Sequence, residues 1–406
     1  MTNEDSVSIS INEKLADQSP IFSDHYIFKV SKEQWSVNEE AYEPKLIAIG
    51  PYHHGKDHLL AMKDHKIRYL QSLLQQSSQK DVSRYVQIIR NLKERARKYY
   101  AEPLSFTHDE FVEMILINGC FIIEFIHKLL EGDMEDPLFR SNHMLHSFML
   151  LVTSNVIPDQ ESTFIKVILV IYERFLPGPL CNSSHVYTPE NMIQIKNLLE
   201  LLHDHWQPFP ARLEVYEKMG QAKEGCFTRC ATELKDAGIK FKSAVERNNL
   251  FDINFVNSTI KIPKIRIGDK TECLLRNLIV YEQLTSSTSP KYFTDYMRFM
   301  DCLIDSAKDV ELLCCQGIID NWKGDDESIA ILFNKLGEHV FCERALYADI
   351  VNNVNEHCKK RSNLWMAKLR HDYFQSPWSF ISVLAAIMLL LLSLTQTVYS
   401  VLSCYK

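Results

Sequence analysis

The chain has 406 residues, 46% hydrophobic and 24% charged, the composition of a folded body rather than a disordered one. A formal net charge of -7 excludes a general nucleic-acid binder, which needs a dominant basic surface. With only 12 glycines, phosphate-cradling loops have little raw material.

Residues 1–24 are polar, lack the apolar stretch of a secretory signal, and read as a flexible leader. The next residues, 25–372, read as one helical head. Ile27–Val30 is a short alternating segment, and a polar helix or loop follows that holds Trp35. Between Ala41 and Leu70, Pro44 and Pro51 forbid a continuous helix, while Gly50-Pro51 and Gly55 mark turns. From Asp57, placed to cap a helix, Leu59, Met62, Leu70, Leu73 and Leu74 follow helical spacing. His53, His54, His58 and His65 cluster here without an acidic or thiol partner at persuasive ligand spacing. They read as a polar network that fixes a loop against its helix through ring-nitrogen hydrogen bonds.

Ser78–Ala101 reads as a basic helix with a solvated face, because Asp81 and Glu94 interrupt its cations. Asp109–Leu130 is a strongly apolar helix on which Asp109, Glu113, Cys120 and Glu124 share one stripe. Such acids face water or pair with cations from a neighbour, since an unpaired buried carboxylate is costly. Glu124-Phe-Ile-His127 and Glu200-Leu-Leu-His203 both have the Glu-x-x-His spacing that supplies paired ligands in di-iron bundles. The further bridging glutamates of such a site are not identifiable, so the metal assignment is none, with Glu124, His127, Glu200 and His203 as candidates should one exist.

Ser141–Phe175 reads as helix interrupted by Pro158, and the turn-rich stretch 177–189 as a surface loop or lobe boundary. A helix over Glu190–Trp206 comes next. Phe251–Asn257 and Thr259–Ile267 read as strands, the latter an edge strand because of Pro263. Asp269-Lys-Thr-Glu272 has the form of a capping box opening a helix through Leu284. Helices over Tyr296–Ser306, Asp309–Gly317, Ser328–Val340 and about Leu346–Leu369 complete the head. The 11 cysteines are odd in number and scattered, and Cys226 and Cys230 have no second pair to complete a zinc site. Reduced, mostly buried thiols are expected. Two glycosylation sequons, at Asn182 and Asn257, matter only if the body is lumenal.

Trp378–Leu402 carries no charged residue. As a helix it would be roughly 37 Å long at about 1.5 Å per residue, enough for a hydrocarbon core of about 30 Å. Trp378 and Tyr399 stand where interfacial aromatics are expected, with Leu389, Leu390, Leu391 and Leu392 between them. This predicts a transmembrane anchor over 376–403 with the lipid bilayer as partner; the alternative is a buried C-terminal helix. Lys359, Lys360, Arg361, Lys368 and Arg370 precede the span against Lys406 after it. The positive-inside rule then places the head in the cytosol, and the protein as single-pass at the plasma membrane or an endomembrane.

The segments AYEPKLIAIGPYHHG, MKDHKIRYL, FVEMILINGCFIIEFI, KIPKIRIGDKTECLLRNLIVYEQ, FMDCLIDSAKDVELLCCQGIIDNWKGDDE and LRHDYFQSPWSFISVLAAIMLLLLSLTQTVYSVL together resemble the plant DUF247 family, also called UPF0481. The resemblance covers nearly the whole chain after the leader. It implies a plant-specific, mostly helical protein, usually with a C-terminal span and without an established activity; some grass members are implicated in pollen-side self-incompatibility. The family's Glu-Asn-Gln-Ile-Pro segment stands here as Ser154-Asn155-Val156-Ile157-Pro158, so an acidic role does not carry over.

The reading is therefore a mainly α, multi-helix globular head with a minor β element plus one C-terminal transmembrane helix. Its function is expected to be that of a non-enzymatic interaction or signalling component, with an unidentified protein partner, no nucleic acid and no cofactor. Tyr52, His53, His54 and Trp322 are the candidate contact residues, and no catalytic residue is assigned. The rival is a metal-dependent enzyme built on the Glu and His pairs. A transporter subunit would need oligomerisation and finds no charge within the span to support it.

Overall fold

The computed structural model describes residues 27–76, 81–131, 136, 169, 177–178, 197–208, 210, 212–214, 227, 229–244, 249–285, 291–340, 346–359 and 377–404. The leader, the helix expected over 141–175, the Ser154–Pro158 segment and most of the stretch 177–189 lie outside them.

Helix α1 (Lys32–Val37) opens at Ser31, whose hydroxyl accepts the Gln34 N–H. Asp57 does not cap its helix: a 3-10 turn, Asp57–Met62, comes first with Lys56 at its cap, and α2 (Lys63–Gln76) continues from it. Helices α3 (Ser83–Lys98) and α2 both lie against α4 (His108–Glu131). On α4 the acidic stripe divides. Asp109 is exposed and pairs with Arg90 at 2.8 Å, whereas Glu124 is buried and accepts hydrogen bonds from Ser72 and Gln76.

The second part of the chain is built on α5 (Leu198–His205), α6 (Ala231–Asp236) and two small sheets. Strands β1 (Lys240–Ala244), β2 (Asn254–Val256) and β3 (Thr259–Pro263) form the first, in the order β1-β3-β2. β3 is thus central, not an edge strand. Pro263 ends the strand, where a missing N–H costs the ladder little. The two residues joining β2 to β3, Asn257 and Ser258, have φ of 50° and 58°, the left-handed pair that a twisted two-residue hairpin turn requires. β4 (Ile265–Ile267) pairs in parallel with β5 (Ile319–Asn321). Strand β1 was not expected, because Ser243 shares the face of Phe241 and leaves one large apolar residue to mark it.

Helices α7 (Thr271–Leu284), α8 (Tyr292–Leu303), α9 (Ala307–Cys315), α10 (Asp326–Leu336) and α11 (Ala348–Lys359) complete the head. No side-chain cap opens α7, contrary to the Asp269–Glu272 expectation; Thr271 Oγ1 instead accepts the Gly268 N–H. Reciprocal capping occurs at α9, where the Asp309 carboxylate accepts the Ser306 N–H at 3.1 Å and also holds Thr232 N–H of α6. One hydrophobic core includes Ile47, Tyr69, Phe121, Trp206, Ile260, Phe293, Leu313 and Val354, and a satellite cluster gathers Ile27, Tyr100, Phe111 and Met114. Among the described cysteines, Cys120, Cys230, Cys273, Cys314, Cys315 and Cys358 are free thiols. Cys302 is disulfide-bonded, which corrects the expectation of reduced thiols at that position.

The C-terminal expectation also requires correction. The backbone of α12 (Pro377–Cys404) is helical. Among the described residues no helix is long and apolar enough to cross a membrane. The transmembrane helix, and the single-pass membrane location inferred from it, are therefore not supported. Leu389, Leu390, Leu391, Leu392 and Tyr399 stand exposed on this helix, and the Trp378 side chain lies outside the described set.

Candidate functional site

Where the satellite cluster meets the main core, the chain leaves a cavity of ≈ 390 Å³. This is the size at which small-molecule sites begin. Five segments build it. The first is Phe28–Val30, tied to the end of α3 because Ile27 exchanges backbone hydrogen bonds with Tyr99 and Ala101 at 2.9 Å. The second is α1 with Trp35, the third is the loop from Tyr42 to Lys56, the fourth is Tyr100 just beyond α3, and the fifth is α7, which contributes Asn277.

The loop's shape follows from its sequence. Gly50 has φ of 84°, a conformation closed to most side chains. At its start and end, Glu43 and Lys56 form an ion pair, with Lys56 Nζ at 2.6 Å from Glu43 Oε2 and closer still to Oε1. His58 holds the Pro44 carbonyl at 3.1 Å. Beneath the loop, buried Lys66 donates to the Ala48 carbonyl and to Asn118 Oδ1 of α4. Burial pulls its pKa down to about 8.

Aromatic rings dominate the walls. Trp35 and Tyr42 stack with centroids 6.1 Å apart, and Tyr52 meets Tyr100 edge-on at 5.5 Å. Tyr52 donates its hydroxyl proton to Glu102; burial and that carboxylate both raise its pKa, so the phenol stays protonated. Tyr100 is 8% exposed, and its hydroxyl makes no hydrogen bond among the described residues. Burial raises its pKa as well. The Lys29 ammonium lies 5.0 Å from the Tyr52 ring centre, with no carboxylate at ion-pair distance among the described residues.

His53 Nδ1 stands 3.4 Å from Glu43 Oε2 but lacks hydrogen-bond geometry and is sealed from solvent. Burial, then the Lys56 ammonium, lower its pKa, which keeps the ring neutral near neutral pH.

The contact residues expected from sequence fall in three places. Tyr52 and His53 line the cavity, whereas exposed His54 sets its ring edge-on against Phe106 at 5.5 Å and is not among the lining residues. Trp322 follows β5, is 66% exposed, and has the Arg266 guanidinium 4.7 Å from its ring centre. Lys29, Trp35, Tyr42, Tyr100 and Asn277 were not singled out beforehand. No spacing rule connects them, since they come from segments separated along the chain.

Each of the four metal candidates is occupied by a different neighbour. Glu124 is held by Ser72 and Gln76; exposed His127 stands 3.5 Å from Glu131; Glu200 hydrogen-bonds Tyr281; His203 is bound to Glu282 and Tyr292. Among the described residues no group of three or more His, Cys, Asp or Glu is arranged to hold a metal ion.

The His203 cluster is a second buried polar centre, and its protonation follows from counting donors. The single proton of Tyr292 goes to the His203 carbonyl, so toward Nδ1 at 2.8 Å the phenol oxygen accepts. Glu282 accepts the N–H of Phe293 at 2.9 Å and of Thr294 at 2.8 Å, the Thr294 hydroxyl at 2.7 Å, and His203 Nε2 at 3.0 Å. Both ring nitrogens therefore carry protons, and His203 is an imidazolium. Burial opposes that charge, but the hydrogen bonds and charges of Asp204 and Glu282 overcome it and raise the pKa. With every donor satisfied and Lys291 offering no cap, this cluster is the N-terminal cap of α8, not a reactive centre.

A family model for DUF247, described as a plant protein of unknown function, matches residues 27–392. A UPF0481 protein of Arabidopsis thaliana is 27% identical, with 93% of this chain and 86% of that protein covered. A putative UPF0481 protein of the same plant is 21% identical, covering 90% and 88%. No solved structure matches.

Proposed function

The chain belongs to the plant DUF247 family of unknown function, and from that premise we propose that it is a non-enzymatic recognition protein, a signalling component whose partner binding runs through the cavity at Tyr52 and His53. The observation that carries this reading is the make-up of the cavity. Its walls combine stacked aromatics with an uncommitted hydroxyl and ammonium, while the described lining contains no serine, threonine or cysteine. Such a lining suits binding and orienting a ligand through ring faces, a phenol and an ammonium.

Val30 lines the cavity on a non-helical segment and is half-buried, so Val30→Trp fills the space from its rim without entering the main core. Affinity purification of the full chain from plant tissue should recover the same protein set in repeated experiments, and Val30→Trp should lose it. Recovery of an unchanged set with Val30→Trp would remove the cavity from this reading. Absence of any reproducible set would remove the interaction reading itself.

A further inference from the structure

We propose that the cavity binds a small planar aromatic carboxylic acid, an inference that rests on the cavity being the recognition site. Two independent features of the lining carry it.

The first is the ring content. Trp35, Tyr42, Tyr52 and Tyr100 contribute two aromatic pairs to a space of ≈ 390 Å³. Aromatic faces and edges favour offset or edge-on contact with a flat ring system over contact with a branched aliphatic chain. A cavity of this size holds one or two fused rings and a short substituent.

The second is the pair of groups left uncommitted at its edge. Tyr100 lines the cavity, and its hydroxyl makes no hydrogen bond among the described residues, so it is available to a ligand. Lys29 is exposed at the rim and its ammonium, 5.0 Å above the Tyr52 ring, has no carboxylate counterpart among the described residues. The other ammonium of the lining, Lys56, is consumed by Glu43, and neutral His53 adds no charge. A hydroxyl donor and a free cation together suit a carboxylate, which accepts from both. A ligand ammonium would instead be repelled by Lys29 and leave Tyr100 to act only as acceptor.

The experiment uses the full chain with 2-naphthoate, its neutral counterpart 2-naphthylmethanol and its cationic counterpart 2-naphthylmethylammonium. Binding is read by calorimetry, with Trp35→Phe tested for loss of the ligand-induced fluorescence change. Naphthoate should bind saturably at one site, about tenfold more tightly than the alcohol, and the ammonium should bind least. Lys29→Gln, at an exposed position that leaves the fold intact, should remove the preference for the acid while keeping alcohol binding. Tyr100→Phe should weaken naphthoate several-fold, and Val30→Trp should abolish binding of all three.

Equal binding of acid and alcohol, or a preference unmoved by Lys29→Gln, overturns the carboxylate assignment. If none of the three probes binds while Val30→Trp still loses the protein set, the ligand class is wrong and the recognition reading survives. Binding that persists in Val30→Trp places the ligand elsewhere and overturns the inference.

Discussion

Replacing Glu282 by alanine is expected to destabilise the folded chain by about 3–5 kcal/mol, the range for removing one partner of a buried ion pair. Glu282 is 1% exposed and accepts four donors: His203 Nε2, the Phe293 and Thr294 N–H groups and the Thr294 hydroxyl. Alanine leaves all of them without their acceptor at the start of α8. Glutamine should cost less, because its one carbonyl oxygen keeps part of the set. Urea denaturation of the wild-type chain and the two variants measures this, and a cost below about 1 kcal/mol for alanine would mean that the cluster is not the cap of α8.

The same pair makes stability depend on pH. The folded-state pKa of His203 is raised, so its contribution is complete below the unfolded value of about 6.5 and is lost as pH rises through the folded value. Wild-type stability should therefore contain a component that falls from mildly acidic to mildly alkaline conditions, and Glu282→Ala should flatten that component. A slope unchanged by Glu282→Ala would place its origin elsewhere.

Truncating Phe251 to alanine is the second large loss, about 3–5 kcal/mol for a buried aromatic reduced to a methyl group. Its ring is fully buried among Phe293 at 4.9 Å, Tyr292 at 5.1 Å, Tyr296 at 5.7 Å and Trp206 at 6.5 Å. Edge-on contacts of this kind add to the area term. The backbone here cannot readily shift to close the void, because Asn249 Oδ1 accepts the Phe251 N–H and Tyr347 donates to its carbonyl. The cost should therefore lie toward the upper end of that range. Denaturant midpoints for Phe251→Ala and Phe251→Leu test this: leucine fills much of the void and should recover at least half of the loss. A Phe251→Ala midpoint near that of the wild type would show that the site collapses freely.

The local grammar of helices was legible in the sequence, but their partners were not. Apolar spacing located α2 and α4. Helix ends were set by bonds that the spacing does not show, some local and some tertiary. Thr271 turns back to Gly268 rather than completing a capping box, and Asp309 reaches across to Thr232 on α6. Pro263 marked a strand but not its place in the sheet, since strand order is set by what packs above and below it. The candidate site was half visible. The proline and glycine signals of the Tyr42–Lys56 loop drew attention to Tyr52 and His53. Nothing local connects Lys29, Tyr100 or Asn277 to that loop, because the fold alone brings them there. His203 stood out for its spacing from Glu200, yet its true partner is Glu282, at a separation of 79 positions.

The hairpin joining β2 to β3 has a consequence for following the protein's history in the cell. Its tip residue Asn257 is exposed, adopts a positive φ and opens an Asn-Ser-Thr triplet. Sugar-transferring enzymes favour acceptors on projecting, solvent-facing turns of this kind. The state of this one side chain, bare or sugar-bearing, would serve as a permanent stamp recording whether the head had ever passed through a secretory lumen.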